Sequence, residues 1–141
     1  MKQLILCASI IMCIYSESHA QTTPSELDVV HNLTRAFNAH NVEGMLKWVH
    51  DDVKWFFIQD DKLEMSTSGK DELQTAMLGY FDSIPSAQSE VLDQLINGPF
   101  IVFKERASWE SSAGKKSQTA VGVYEVVNGK VKRVWYYPAV D

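Results

Sequence analysis

From Tyr124 to Tyr137 the chain reads YEVVNGKVKRVWYY, two β-type runs joined by Asn128-Gly129. Asn-Gly between such runs is the strongest short-range hairpin signal, because the favoured two-residue turn needs positive φ at both positions. The residues before it extend the pattern. Ser89 to Ile96 reads as a strand, Asn97-Gly98-Pro99 as a turn, and Phe100 to Glu110 as a long strand. Ser111 to Lys116 turns the chain into Ser117 to Val127, and Lys130 to Tyr137 closes the set. Four consecutive strands with tight connections make an antiparallel meander.

The preceding half has helical periodicity. Thr23-Pro24-Ser25-Glu26 predicts a helix start with Thr23 as N-cap, and Leu27, Val30, Leu33 and Phe37 carry the apolar stripe to about Ala39. Asn41 caps a second, shorter helix through Val42, Met45, Leu46 and Val49, ended by Asp51-Asp52. Val53 to Ile58 is β-branched and aromatic, hence a strand, and Gln59 to Ser68 reads as a polar loop. Gly69 to Phe81 forms a third helix with Leu73, Ala76, Met77 and Tyr80 on one face, stopped by Pro85. Helices gathered early and a terminal meander predict an α+β fold. A curved antiparallel sheet wrapped around N-terminal helices also encloses space beneath them, the setting for a pocket.

Residues 1–20 are read apart from the fold. Met1-Lys2, the apolar run from Leu4 to Tyr15 and Ser18-His19-Ala20 have the form of a signal peptide cleaved before Gln21. The run is shorter than the roughly 20 apolar residues that span a bilayer. The expectation is a secreted or periplasmic protein with no membrane attachment after cleavage, its single domain covering residues 21–141. Both cysteines, Cys7 and Cys13, fall in the removed segment, so the mature domain has neither disulfides nor thiolate chemistry. A formal charge of −5 argues against a nucleic-acid partner. His31, His40 and His50 have no metal-ligand spacing, and no dinucleotide or phosphate-loop motif is present, so no metal or cofactor is expected.

Four segments, AFNAHNVEGM (36–45), HDDVKW (50–55), SGKDEL (68–73) and the closing hairpin, together resemble the SnoaL-like branch of the nuclear-transport-factor-2-like superfamily. The resemblance covers essentially all of residues 21–141. It implies a cone-shaped α+β half-barrel with a pocket at its wide end and homodimerisation through the outer sheet face. The superfamily includes isomerases, dehydratases, cyclases, epoxide hydrolases and non-catalytic binders, so function must come from the site. The ketosteroid isomerase positions for tyrosine, base and second acid fall at Leu33, Phe57 and near Gly122, none of which can serve. The acid set of limonene-epoxide-hydrolase-like sites is missing as well, since the last strand carries Trp135-Tyr136-Tyr137.

Strand alternation selects the candidates. Ile101, Phe103, Glu105, Ala107 and Trp109 share one face of their strand, which makes Glu105 a lone carboxylate among hydrophobes. There it is either buried, with a raised pKa suited to acid–base work, or placed at a wet rim or beside a base. Trp55 and Phe57 are pocket floor or ordinary core. Tyr124 and Tyr136 could offer hydroxyls to a ligand, or pack. Val121, Val123, Trp135 and Tyr137 make an outer apolar surface, read as a dimer interface. The leading expectation is an exported protein that binds a small apolar molecule through Trp55, Phe57, Phe103, Trp109, Tyr124 and Tyr136 around Glu105. The alternatives are a lyase- or isomerase-like enzyme with Glu105 as catalytic acid/base, and a non-catalytic association module whose cone is filled by side chains.

Overall fold

The computed structural model describes residues 24–138; the expected signal peptide lies outside them. The elements are α1 (Glu26–Asn38), α2 (Val42–Leu46), β1 (Val49–Gln59), β2 (Lys62–Ser68), α3 (Lys70–Ser83), β3 (Gln88–Asn97), β4 (Phe100–Ser111), β5 (Gly114–Val127) and β6 (Lys130–Pro138). One curved, unclosed sheet contains all six strands in the order β2-β1-β6-β5-β4-β3. The fold is α+β, and the meander β3 to β6 is antiparallel throughout. The sheet as a whole departs from the all-antiparallel expectation at one seam, where β6 returns alongside β1 and pairs with it in parallel.

Three local readings change. The cap of α1 is Ser25, not Thr23: its hydroxyl accepts from the Asp28 amide at 3.2 Å, and its own amide donates to the Asp28 carboxylate at 3.1 Å. That reciprocal box satisfies two otherwise free amides. Asp51 and Asp52 do not end a helix but lie in β1, where Lys70 (2.8 Å) and Lys132 pair with them. The expected loop after β1 is a hairpin. Asp60 and Asp61, at φ 48° and 61°, form its tight turn, and Lys62–Ser68 pairs back on β1.

The core lies between the concave sheet face and the helices. Val29, Val30 and Leu33 of α1 pack with Met45 of α2, Leu73 of α3 and the inward strand residues Val53, Ile101, Phe103, Val131 and Val134. Irregular register between Trp55 and Phe56, Val91 and Asp93, and Glu125 and Val126 interrupts the ladders. Such bulges bend strands, which helps the sheet curl around α1. Side-chain contacts tie α1 to the edge strand β3, a clamp at Asn38 and His31 with Gln94 at 3.0 Å among them. Asn38, the last residue of α1, donates to the Ser89 carbonyl at 2.8 Å and accepts from the Ser89 amide at 2.7 Å.

Candidate functional site

The core does not fill the cone. A cavity of about 370 Å³ remains between the sheet and the helices. Its helical wall is Leu33, Thr34 and Phe37 of α1 with Leu73, Ala76, Met77 and Tyr80 of α3. All of these except Thr34 belong to the stripes that periodicity assigns to the buried faces. Its sheet wall includes Trp55 and Phe57 of β1, Trp109 of β4, Tyr124 of β5 and Tyr136 of β6. Cross-strand pairing puts Trp55 opposite Val134 and Phe57 opposite Tyr136, so these aromatic residues share the concave face.

Glu105 is in this wall and only 4% exposed, so it is not at a wet rim. It has no cationic partner either. Three hydroxyls surround it instead. Tyr124 donates to Oε1 at 2.5 Å, Tyr136 donates to Oε2 at 2.8 Å, and Ser89 donates to Oε2 at 3.4 Å. Burial raises the Glu105 pKa above the usual carboxylate value, and the three hydroxyl bonds oppose that rise without cancelling it. Burial, followed by the nearby carboxylate, pushes both tyrosines well above the ordinary phenol value, so they stay protonated donors.

The route by which Tyr124 reaches Glu105 depends on a glycine. Gly122 is paired with Phe103 on one side and Tyr136 on the other. The Tyr124 ring leans back along β5 over the space between them. A Cβ on Gly122 would come within 2.8 Å of Cε2 and 3.1 Å of the hydroxyl oxygen of Tyr124. Only a residue without a side chain leaves that slot open. Ser89, the third partner, is held by the Asn38 clamp.

Six of the seven site residues expected from the sequence lie on the cavity wall; Phe103 does not. It is fully buried, with its ring 4.9 Å from the His31 ring and 5.8 Å from Tyr124, so it supports the wall from behind. The roles of Tyr124 and Tyr136 also differ from a direct offer to a ligand, because both protons are directed at Glu105. Among the wall residues that the sequence does not point to are Ser89 and Thr67. Ser89 could not be linked to Glu105 without the register. Thr67, in the stretch that reads as a polar loop, sits on β2 opposite Trp55 with a buried hydroxyl that has no partner among the described residues.

On the convex face, Val121 pairs with Tyr137 and Val123 with Trp135, as the outer apolar surface requires. The register extends the surface across the sheet. Met65, Phe56, Trp135, Val123, Val102 and Leu95 stand one per strand in a continuous paired row. Phe56 and Trp135 stack at 6.0 Å between ring centres.

Among the described residues no cluster of His, Cys, Asp or Glu could hold a metal, and no helix is long and apolar enough to cross a membrane.

Comparison with known proteins agrees with this architecture. A protein of Novosphingobium aromaticivorans described as an uncharacterised cystatin-fold protein superposes with a TM-score of 0.71 at 20% identity, covering 80% of this chain and 97% of that one. An NTF2-like protein of unknown function from Cytophaga hutchinsonii gives 0.66 at 15% identity, over 84% and 94% of the two chains. A putative SnoaL-like polyketide cyclase from Jannaschia gives 0.68 at 12% identity, over 80% and 84%. At such identities the likeness establishes the fold alone. No curated protein matches the sequence. The sequence profile of the SnoaL-like domain matches residues 30–134, most of the chain, and the protein therefore belongs to the SnoaL-like domain family.

Proposed function

We propose that this is an exported SnoaL-like protein that binds a small, mostly apolar molecule in the cavity beneath α1 and α3. The observation that carries the reading is a single buried carboxylate, Glu105, held by two tyrosines in the wall of an otherwise largely apolar and aromatic space. Ligand sites typically combine such walls with a few fixed polar groups, in volumes of roughly 300–1,000 Å³. An open cavity counts against a purely associative module, whose cone would be filled by its own side chains.

The same geometry favours a second reading, a lyase- or isomerase-like enzyme with Glu105 as the acid/base. A carboxyl whose pKa is raised by burial, beside space for a reacting atom, is what proton transfer near neutral pH needs. Replacing Glu105 with Gln keeps the shape and removes the base, so turnover of any substrate found should be lost without unfolding. Unchanged turnover would exclude this role.

The paired apolar row on the convex face supports homodimerisation through Val121, Val123, Trp135 and Tyr137, since contiguous exposed apolar surface usually marks association. Native mass spectrometry of the protein, exported with its own leader and gently purified, tests the whole proposal. The expected spectrum is a dimer of residues 21–141 with a discrete added mass. A mass that retains residues 1–20 would refute export by cleavage, and a monomer would refute the interface. A protein that carries no added mass and takes up no apolar compound from a diverse mixture would refute the ligand pocket.

A further inference from the structure

The charge inventory of the cavity narrows the ligand class. Its wall contains no Lys, Arg, His or Asp, and Glu105 is its one carboxylate. The ion pairs among the described residues all lie elsewhere, at Lys70–Asp51, Arg106–Glu90, Lys132–Asp52 and Arg133–Glu125. Lys116, paired with Trp109 and exposed, is the cation nearest along that strand face. Its backbone stands about 13 Å along the sheet from the level of Glu105 at the usual strand rise. Buried carboxylates are ordinarily paired with a cation, and this one has only neutral donors.

Its hydrogen bonding is also incomplete. A carboxylate offers about four acceptor sites. Oε2 accepts from Tyr136 and Ser89, whereas Oε1 accepts from Tyr124 alone. Among the described residues Oε1 therefore has room for one further donor. Around the same space stand the rings of Trp55, Phe57, Tyr80 and Trp109. Their faces are partially negative and attract a cation, most strongly where water is excluded.

Given a ligand pocket as read above, we propose that its ligand is an organic cation, a protonated amine carrying an apolar group, with the ammonium on Glu105 and the apolar part among the aromatic rings. A neutral ligand would leave an ionised Glu105 without a counter-charge, so that burial would favour its protonated form. An anionic one would bring a second negative charge beside it with no cation to receive it. An ammonium supplies both the missing charge and the missing donor. Burial pushes the Glu105 pKa up, and a bound cation would draw it back down.

The test is calorimetric titration of the exported protein at pH 8 with three probes of matched shape: 2-phenylethylammonium, 2-phenylethanol and phenylacetate. A larger naphthyl set is run in parallel. The ammonium is expected to bind at least ten times more tightly than the alcohol and the carboxylate not to bind, with the preference falling below threefold in Glu105→Gln. If that variant does not fold, the order among the wild-type affinities decides. An alcohol that binds as well as the ammonium, or a cation preference that survives in Glu105→Gln, overturns the inference and leaves the pocket reading standing. If no probe of either size binds, both fall.

Discussion

Replacing Tyr124 with Phe isolates the shortest contact of the site. The ring keeps its places against Phe103 and, edge-on, Trp55, so little packing is lost. The hydroxyl leaves, and with it the sole donor to Glu105 Oε1 among the described residues, since Tyr136 and Ser89 both serve Oε2. A buried hydrogen bond to a charged group contributes about 1.5–3 kcal/mol, one to a neutral group about 0.5–1.5 kcal/mol. The loss should therefore be about 1.5–3 kcal/mol where Glu105 is ionised and about 0.5–1.5 kcal/mol where it is protonated. The sign with pH follows from linkage. The Tyr124 bond lowers the Glu105 pKa against the rise from burial, so its removal raises that pKa further. A carboxyl raised in the folded state stabilises most in acid and loses that contribution as pH increases through its folded pKa. The variant should consequently fall further behind wild type on going from pH 4 to pH 8. Urea unfolding of both proteins at the two pH values, followed by circular dichroism, measures the difference. A deficit below about 0.5 kcal/mol, or one that does not grow with pH, would refute the assignment of Tyr124 as the donor that holds an ionised Glu105.

Other substitutions probe separate links. Gly122→Ala should cost about 1–3 kcal/mol in the same unfolding assay, because the added Cβ meets the Tyr124 ring at 2.8 Å; a neutral result would show that the ring does not need the slot. Thr67→Val removes a buried hydroxyl without a partner, so stability should rise by up to about 1 kcal/mol, and a clear loss would reveal a partner for that oxygen. Glu105→Gln does not titrate, so its stability relative to wild type should improve as pH rises from 4 to 8; a flat or falling difference would contradict the raised pKa. Trp135→Glu puts a charge into the paired apolar row and should convert a dimer to monomer in analytical ultracentrifugation, whereas an unchanged dimer would move the interface elsewhere.

The parts legible in the sequence were those fixed by local chemistry. Asn128 and Gly129 take the positive φ values of 49° and 72° that their hairpin needs, and the meander follows from it and from Asn97-Gly98-Pro99. The helical stripe of α3 faces the cavity as its spacing required. β2 is hard to read from the sequence because its short alternation, Leu63 and Met65 between polar residues, puts the apolar side chains on the exposed face of an edge strand and leaves Thr67 alone buried. Its turn uses Asp60-Asp61 in place of the usual glycine pair. Within the site, alternation along β4 singled out Glu105, and Tyr124 and Tyr136 fell on the matching faces of their strands. That three side chains from β4, β5 and β6 converge depends on cross-strand register and on the missing side chain at Gly122, neither of which one strand can reveal. Ser89 enters through the Asn38 clamp, a contact between residues 51 positions apart. Phe103 shares its strand face with Glu105, yet α1 covers it and not the cavity; alternation gives the face but not what lies above it.

The four tryptophans provide the most direct test of the cavity as a ligand site. Trp55 and Trp109 stand in its wall, whereas Trp48 and Trp135 lie outside it. Their indole N–H groups give separate signals in a ¹H–¹⁵N spectrum, assignable by single Trp→Phe replacements. Titration with 2-phenylethylammonium should shift the Trp55 and Trp109 signals with one common saturation curve and leave Trp48 and Trp135 in place. Shifts confined to Trp135, or no saturable shift at Trp55 and Trp109 with either this ammonium or 2-phenylethanol, would contradict a ligand site beneath the helices.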